Sequence, residues 1–321
     1  KFMLNAGVIG CGHLGKFHIK QLSESERYQV AGVYDKNINV AKVVSKEFKC
    51  DFYENSIDLI RKSDVICIVT PTPFHFEYAK ECIASNVHMF IEKPVCDSLK
   101  DSKELIQLNK KSKLKIQVGH VERFNPAFTA IQNKINNPMF IESHRLAEFN
   151  PRGTDVSVVL DLMIHDIDII LSSVDSEIKK ISSSGVSVIS STPDIANARI
   201  EFKNGCVANL TASRVSIKNM RKTRFFQTGK YISVDFLNKN SEIIEIDDNS
   251  NEIPHMKLDL ANGSTKNIFF SKPNIKEKNA ILDELNSFAE SIINDSRPIV
   301  NLADGHKALF VANEIIKNFN T

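Results

Sequence analysis

The chain has 321 residues, long enough for two domains on the usual scale of about 150 residues each. Hydrophobic residues make up 42% and charged residues 25%, a balance that excludes a disordered chain. A net charge of +2 gives no electrostatic case for nucleic acid or an anionic membrane as partner. The longest apolar runs, such as 65–69, are far too short to cross a bilayer.

From the start, residues 1–10 lead directly into a strand and a glycine loop, so no secretory signal is expected there. Short apolar runs at 6–9, 29–34, 65–69, 87–91 and 115–118 read as strands. Between them, 14–22, 40–48, 76–85 and 99–111 carry helical patterns. Strands alternating with helices predict a parallel, doubly wound sheet. After residue 120 the pattern changes. One helix over 156–172 is followed by alternating runs at 181–189, 196–202, 207–212, 231–236 and 242–246, with turn signals such as Lys203-Asn204-Gly205 between them. These predict a mostly antiparallel sheet. Residues 247–251 read as a solvated turn, and two helices, 277–293 and 302–318, close the chain.

Cys11, Cys50, Cys67, Cys82, Cys96 and Cys206 form no CxxC pair, so no metal site is expected. Reduced thiols in a cytoplasmic protein are the expectation.

Gly10-Cys11-Gly12-His13-Leu14-Gly15 reads G-x-G-x-x-G, following an apolar strand and opening a helix. The first glycine permits a tight turn, the second lets a pyrophosphate approach the backbone, and the third allows close helix–strand packing. Gly10, Gly12, His13, Leu14 and Gly15 are therefore candidate cofactor-binding residues, with phosphates facing the helix N-terminus. Asp35, twenty residues past Gly15, suits ribose hydroxyls and repels a 2′-phosphate. It makes NAD(H) the expected cofactor and NADP(H) the second choice. The neighbouring Lys36 could offset a phosphate charge and joins the cofactor candidates.

Thr70-Pro71-Thr72-Pro73-Phe74-His75 ends the next strand. Thr70, Pro71, Thr72 and His75 are candidate cofactor contacts, although Thr72 and Pro73 read equally well as a helix N-cap and proline turn. Phe90-Ile91-Glu92-Lys93-Pro94 ends a buried strand with two charges. Ligands of parallel sheets bind at strand carboxyl ends, so Glu92 and Lys93 are site candidates. Lysine could hydrogen-bond a substrate oxygen and stabilise an alkoxide. Farther on, Asp161 and His165 stand four apart and Asp168 three beyond, on one face of a largely apolar helix. A histidine with a carboxylate nearby is an acid–base candidate. A surface ion pair or a metal pair would fit the same spacing.

Taken together and in this order, the glycine loop, Thr70 to His75, Glu92-Lys93-Pro94, and Asp161 with His165 and Asp168 resemble the glucose–fructose oxidoreductase / inositol dehydrogenase / MocA (Gfo/Idh/MocA) family. The resemblance covers essentially the whole chain. It implies an α/β protein with an N-terminal NAD-binding Rossmann domain, residues 1–120. An α/β substrate-binding and oligomerisation domain with a large open, mostly antiparallel sheet would follow at 121–321, and the C-terminal helices could pack back on the Rossmann domain. It implies that Lys93 and His165 face the substrate, that Asp161 helps hold it, and that the Lys93–Pro94 bond is cis. Met163 departs from the glycine common at its position, which puts the substrate geometry in question.

The stretch Gly119-His120-Val121-Glu122-Arg123-Phe124-Asn125-Pro126-Ala127-Phe128 resembles family members of the UDP-N-acetylglucosamine 3-dehydrogenase type, which oxidise nucleotide-linked amino sugars. Arg123 offers a planar fork suited to phosphate and Asn125 an amide that reads hydroxyls; Arg123 could equally pair with a carboxylate. Arg145 and Arg152 are further phosphate candidates. The expected activity is hydride transfer to or from a ring carbon of a sugar, with a UDP-amino sugar first. The alternatives are a free sugar, an inositol or another small carbonyl or diol, and, in another class, a non-catalytic NAD(H)-sensing regulator. The alternating strands further suggest a homodimer or homotetramer, on an open sheet face expected to carry Ile200, Phe202, Val207 and Leu210.

Overall fold

A computed structural model describes residues 3–150, 156–248, 250 and 253–320. These form two compact units, 3–121 with 279–310, and 122–278 with 311–320. The first is built on the strands β1 (Leu4–Ile9), β2 (Tyr28–Tyr34), β3 (Val65–Ile68), β4 (His88–Glu92) and β5 (Ile116–Gly119), all parallel, in the order β2-β1-β3-β4-β5. Every residue of β3 is buried, as expected where helices cover both faces of a parallel sheet. The helices are α1 (His13–Glu24), α2 (Ile38–Phe48), α3 (Ser56–Arg61), α4 (His75–Ala84) and α5 (Leu99–Ser112). Capping sets their ends. Ser98 accepts the Asp101 N–H at 3.0 Å to open α5, and left-handed Lys113 closes it.

Following the chain further, α6 (Pro126–Thr129) and α7 (Ile164–Ser173) belong to the second unit, and α8 (Ala280–Ile293) returns to the first. Leu285, Phe288 and Ala289 of α8 join Leu4, Ile19, Leu22 and Phe90 in one buried cluster. The Tyr28 hydroxyl donates to the Leu285 carbonyl at 2.7 Å. The last helix, α9 (Leu302–Lys317), begins in the first unit and ends in the second.

The second unit's sheet comprises β6 (Phe140–Leu146), β7 (Ile178–Val186), β8 (Ile195–Phe202), β9 (Val207–Ser213), β10 (Met220–Gln227), β11 (Lys230–Asp235), β12 (Asn240–Ile246), β13 (Met256–Asp259) and β14 (Thr265–Ser271). Its order is β13-β14-β12-β11-β10-β6-β9-β8-β7. β6 and β9 are parallel neighbours and the remaining pairs are antiparallel. Together the two sheets give the α/β class read from the sequence.

Three expectations need correction. The helix expected over 156–172 carries a π-helical turn, Val159–Met163, before α7. Asp161 and His165 therefore do not share one regular α-helical face, and π turns often mark functional positions. The open sheet face is also not the one expected. Ile200, Phe202 and Leu210 are at most 2% exposed, on the same face as Arg145, which pairs with Asp166 of α7. Only Val207 lies opposite, with Glu142, Thr211 and Arg224, because strand pairing sets which alternate residues face outward. Third, α3, α6, β6, β10, β13 and β14 lie outside the predicted elements. Arg152, Asn249 and Asn251 lie outside the described residues. Among the described residues no helix is long and apolar enough to cross a membrane.

Candidate active site

The chain leaves β1 through the glycine turn into α1. Gly10 sits at φ +103°, where a Cβ would lie 2.6 Å from the Val69 carbonyl oxygen, so only glycine takes this turn without strain. A Cβ on Gly15 would run into the Gly10 carbonyl oxygen, whereas one on Gly12 would meet nothing within 4 Å. The space over Gly12 is open to a ligand. No side chain caps α1 at Gly12, so its first N–H groups are left for an anion.

A cavity of about 720 Å³ opens here, lined by Gly10, Gly12, Asp35, Lys36, Thr70 and Pro71. It sits at the carboxyl ends of β1, β2 and β3, where the strand order reverses, the place open α/β sheets use for ligands. Tyr34, Ile38, Phe74 and Tyr78 complete much of its wall. Asp35 is held as an acceptor: Oδ2 receives the Cys11 N–H and Oδ1 the Asn37 N–H, both at 2.8 Å. The Lys36 ammonium lies 5.5 Å from the centre of the Phe74 ring. Burial, then the charge of Asp35, push the Cys11 thiol up to about 12, so it stays protonated and unreactive. These features fit a dinucleotide: an uncapped helix N-terminus for the pyrophosphate and an anchored carboxylate for ribose hydroxyls.

His13, Leu14, Thr72, His75 and Glu92 lie outside the cavity lining. His13 instead stacks edge-on against Phe17. His75 is buried, with Nδ1 2.9 Å from the Pro94 carbonyl oxygen and Nε2 2.9 Å from that of Thr70. It ties the loop after β3 to the loop after β4, with both ring nitrogens engaged. Burial holds its imidazole below the ordinary range. Glu92, at the end of β4, meets His18 of α1 and also accepts the Lys93 N–H at 3.2 Å. The Lys93–Pro94 bond is cis.

In the second unit, Asp161 is exposed in the π turn and His165 is half-buried at the head of α7. Asp166 and Asp168, 2% and 1% exposed, are each taken by an arginine. Arg123 grips Asp168 with Nε and Nη2, at 2.6 and 3.1 Å. The edge of the fork proposed for phosphate is thus committed to a carboxylate. Arg145 is buried between Asp166 and Glu122, bonded through Nε, Nη1 and Nη2 at 2.9–3.0 Å. Asn125, also buried, caps α6 through the Ala127 N–H and donates to Glu122 and the Phe236 carbonyl. All three are thus bonded within the unit's own interior.

Sequence reading missed several residues. Phe74, just before α4, and Tyr78 within it stand four apart and both line the cavity, a signal that was available; Tyr34 directly precedes Asp35. His18 stands three residues past Gly15, and its partner is distant in sequence. Among the described residues no cluster of three or more His, Cys, Asp or Glu is placed to hold a metal.

This architecture defines a Rossmann dinucleotide-binding unit followed by an open-sheet α/β unit. Residues 4–120 match the family described as "Oxidoreductase family, NAD-binding Rossmann fold", and 132–231 match the "GFO/IDH/MocA C-terminal domain". UDP-N-acetylglucosamine 3-dehydrogenase of Acidithiobacillus ferrooxidans is 37% identical over 241 residues, 75% of this chain and 76% of that protein. A solved structure of that enzyme superposes with a TM-score of 0.90 at 31% identity, covering 99% of this chain and 98% of the other. Inositol 2-dehydrogenase of Serratia proteamaculans is 30% identical over 180 residues, 52% of this chain and 53% of that protein. The chain belongs to the Gfo/Idh/MocA family of NAD-binding oxidoreductases. The alternative of a non-catalytic NAD(H) sensor has no support among these relatives.

Proposed function

We propose that the protein is an NAD(H)-dependent dehydrogenase acting on a ring carbon of a sugar, with a UDP-linked amino sugar as the first candidate. The observation that carries this reading is the likeness to UDP-N-acetylglucosamine 3-dehydrogenase, which extends over both units. When bound, the nicotinamide supplies the hydride chemistry. Gly10, Gly12, Asp35, Thr70 and Pro71 hold the cofactor, with Lys36 at the rim. Lys93 donates a hydrogen bond to the reacting oxygen and stabilises its developing charge. His165 takes the hydroxyl proton, and Asp161 orients the sugar. Run backwards, the same groups reduce a ketone.

A second reading, a free polyol such as an inositol, is favoured by one observation. Arg123 and Arg145 are committed to carboxylates, which removes the arginine fork that pointed to a diphosphate. A screen of UDP-sugars, free sugars and inositols, following nicotinamide absorbance with NAD and with NADP, tests both readings. A UDP-amino sugar with NAD should be turned over best; efficient turnover of inositols and none of UDP-sugars would establish the second reading instead. In binding titrations NAD should exceed NADP, with Asp35→Asn narrowing the gap. Tighter NADP binding by the unmodified protein would point to Lys36 as the deciding residue.

The six cysteines are free, which suits a reducing compartment, and we place the protein in the cytoplasm. We also infer a homodimer or homotetramer, formed on the open sheet face. The aromatic group of Phe140, Phe226 and Tyr231, with ring centroids 5.8 and 5.1 Å apart, replaces the residues first expected there. Closed two-fold pairing is the commonest way to cover such a face. A monomer by light scattering at micromolar concentration counts against it.

A further inference from the structure

A buried pair at the root of Lys93 is left unused by the chemistry just described. His18 on α1 and Glu92 at the end of β4 meet at 2.7 Å between Nε2 and Oε1, with side chains 1% and 12% exposed. Burying such groups is costly unless they are satisfied, and this pair is well housed. Gly119 stands beside Glu92 in the β4–β5 pairing. A Cβ there would lie 3.0 Å from the carboxyl carbon, so glycine leaves room for the carboxylate. The Phe90 ring packs on His18, with 5.2 Å between centroids. The second oxygen, Oε2, accepts the Lys93 N–H at 3.2 Å.

Hydrogen-bond accounting decides the state of the ring. His18 Nδ1 is buried and has no hydrogen-bond partner among the described residues. Nε2 is therefore the nitrogen that donates, to Glu92. The bond lies directly beside the residue proposed to present an ammonium to the substrate.

We propose that His18 is a positioning residue: by donating to Oε1 it keeps Glu92 ionised and turned so that Oε2 holds the Lys93 backbone N–H. Lys93 is thereby aimed from a fixed point. The inference rests on the reading of Lys93 as the group that acts on the substrate oxygen. Burial pushes the Glu92 carboxyl up, but the hydrogen bond and charge of His18, with the charge and N–H of Lys93, outweigh it and hold the carboxyl below the ordinary glutamate range. Without the His18 donor, only the charge and N–H of Lys93 oppose burial, and the carboxyl's affinity for a proton rises. A neutral carboxyl is the weaker acceptor, so the hold on Lys93 loosens.

The test compares the full chain with His18→Leu, which removes the donor, His18→Gln, which retains one, and Gly119→Ala, which crowds the carboxylate and leaves His18 in place. The protein carries glutamate labelled with ¹³C at the carboxyl carbon, and the Glu92 resonance is identified by its loss in Glu92→Gln. In the parent it should titrate below the ordinary glutamate range, and in His18→Leu clearly higher than in the parent, with His18→Gln largely restoring the parent value. Gly119→Ala should also raise it, and carries the test if His18→Leu does not fold. Turnover read alongside should fall on the order of 10²-fold in His18→Leu, the scale a 1 Å misplacement can reach, with KM and NAD affinity nearly unchanged and the acid limb of the pH profile moved upward. A Glu92 titration unmoved in both variants, with Lys93→Ala inactive, overturns the role of His18 alone. Full turnover in Lys93→Ala overturns the reading of Lys93 and the positioning role with it.

Discussion

Lys93→Ala and His165→Ala are each expected to lower turnover by about two to four decades, the scale of losing a charge-stabilising or acid–base group. The two losses differ in origin. As hydride leaves a carbinol carbon, charge develops on its oxygen, and an ammonium donor at that oxygen is stronger than a neutral one. Lys93 also leaves β4 beside Glu92, so its removal takes away a charge that favours that buried carboxylate, which retains His18 and a backbone N–H. His165, in the second unit, acts instead by accepting a proton. NAD affinity should therefore change little in His165→Ala, since every residue lining the cofactor cavity belongs to the first unit. Steady-state kinetics on the substrate found by the screen, with NAD titration of each variant, give the two readouts. Near-normal turnover in either variant removes that residue from the mechanism.

The largest effect on stability is expected at Arg145, which is 3% exposed and bonded to both Asp166 and Glu122. Burial pushes its guanidinium pKa down, but the two carboxylate charges outweigh it and hold the value above the ordinary one, so the group stays charged. Arg145→Met leaves two carboxylates, 2% and 6% exposed, without their shared cation. Breaking a buried pair from one side costs about 3–5 kcal/mol, because the remaining charge is uncompensated. Adding Asp166→Leu removes one stranded charge and should recover part of the loss. Urea denaturation of the parent, the single and the double variant measures both steps. A loss below about 1 kcal/mol for Arg145→Met, as for an exposed ion pair, would show that the network contributes little.

The cofactor half was legible in the sequence because its signals are contiguous. A turn with φ +103° needs Gly10, a buried parallel strand reads as an apolar run such as Val65–Ile68, and an acid at the end of β2 can be found by counting from the glycines. Even the strand-end lysine is marked by the two charges that close an apolar run. The central strands of the second sheet carry no such mark. β6, Phe-Ile-Glu-Ser-His-Arg-Leu, alternates in burial, but its inward positions include Ser143 and Arg145 beside Ile141, so a search for alternating apolar residues passes over it. Those polar positions are tolerable only because partners elsewhere satisfy them: Asp166 for Arg145 and Thr223 for Ser143.

The same distinction explains the site. The sequence alone determined the class of fold, the cofactor loop, the acid at the end of β2 and the candidate chemistry of Lys93 and His165, since each depends on residue type and nearby spacing. Tertiary structure decided which charges are already taken. Arg123 looked like a phosphate fork until Asp168, 45 residues on, occupied it. His75 looked like a ligand until two carbonyl oxygens claimed its ring. His18 gave no signal at all until Glu92, 74 residues away, was folded against it. A side chain's donors and acceptors are fixed by its identity, but what they bind depends on contacts between distant parts of the chain, and only the folded molecule brings those together.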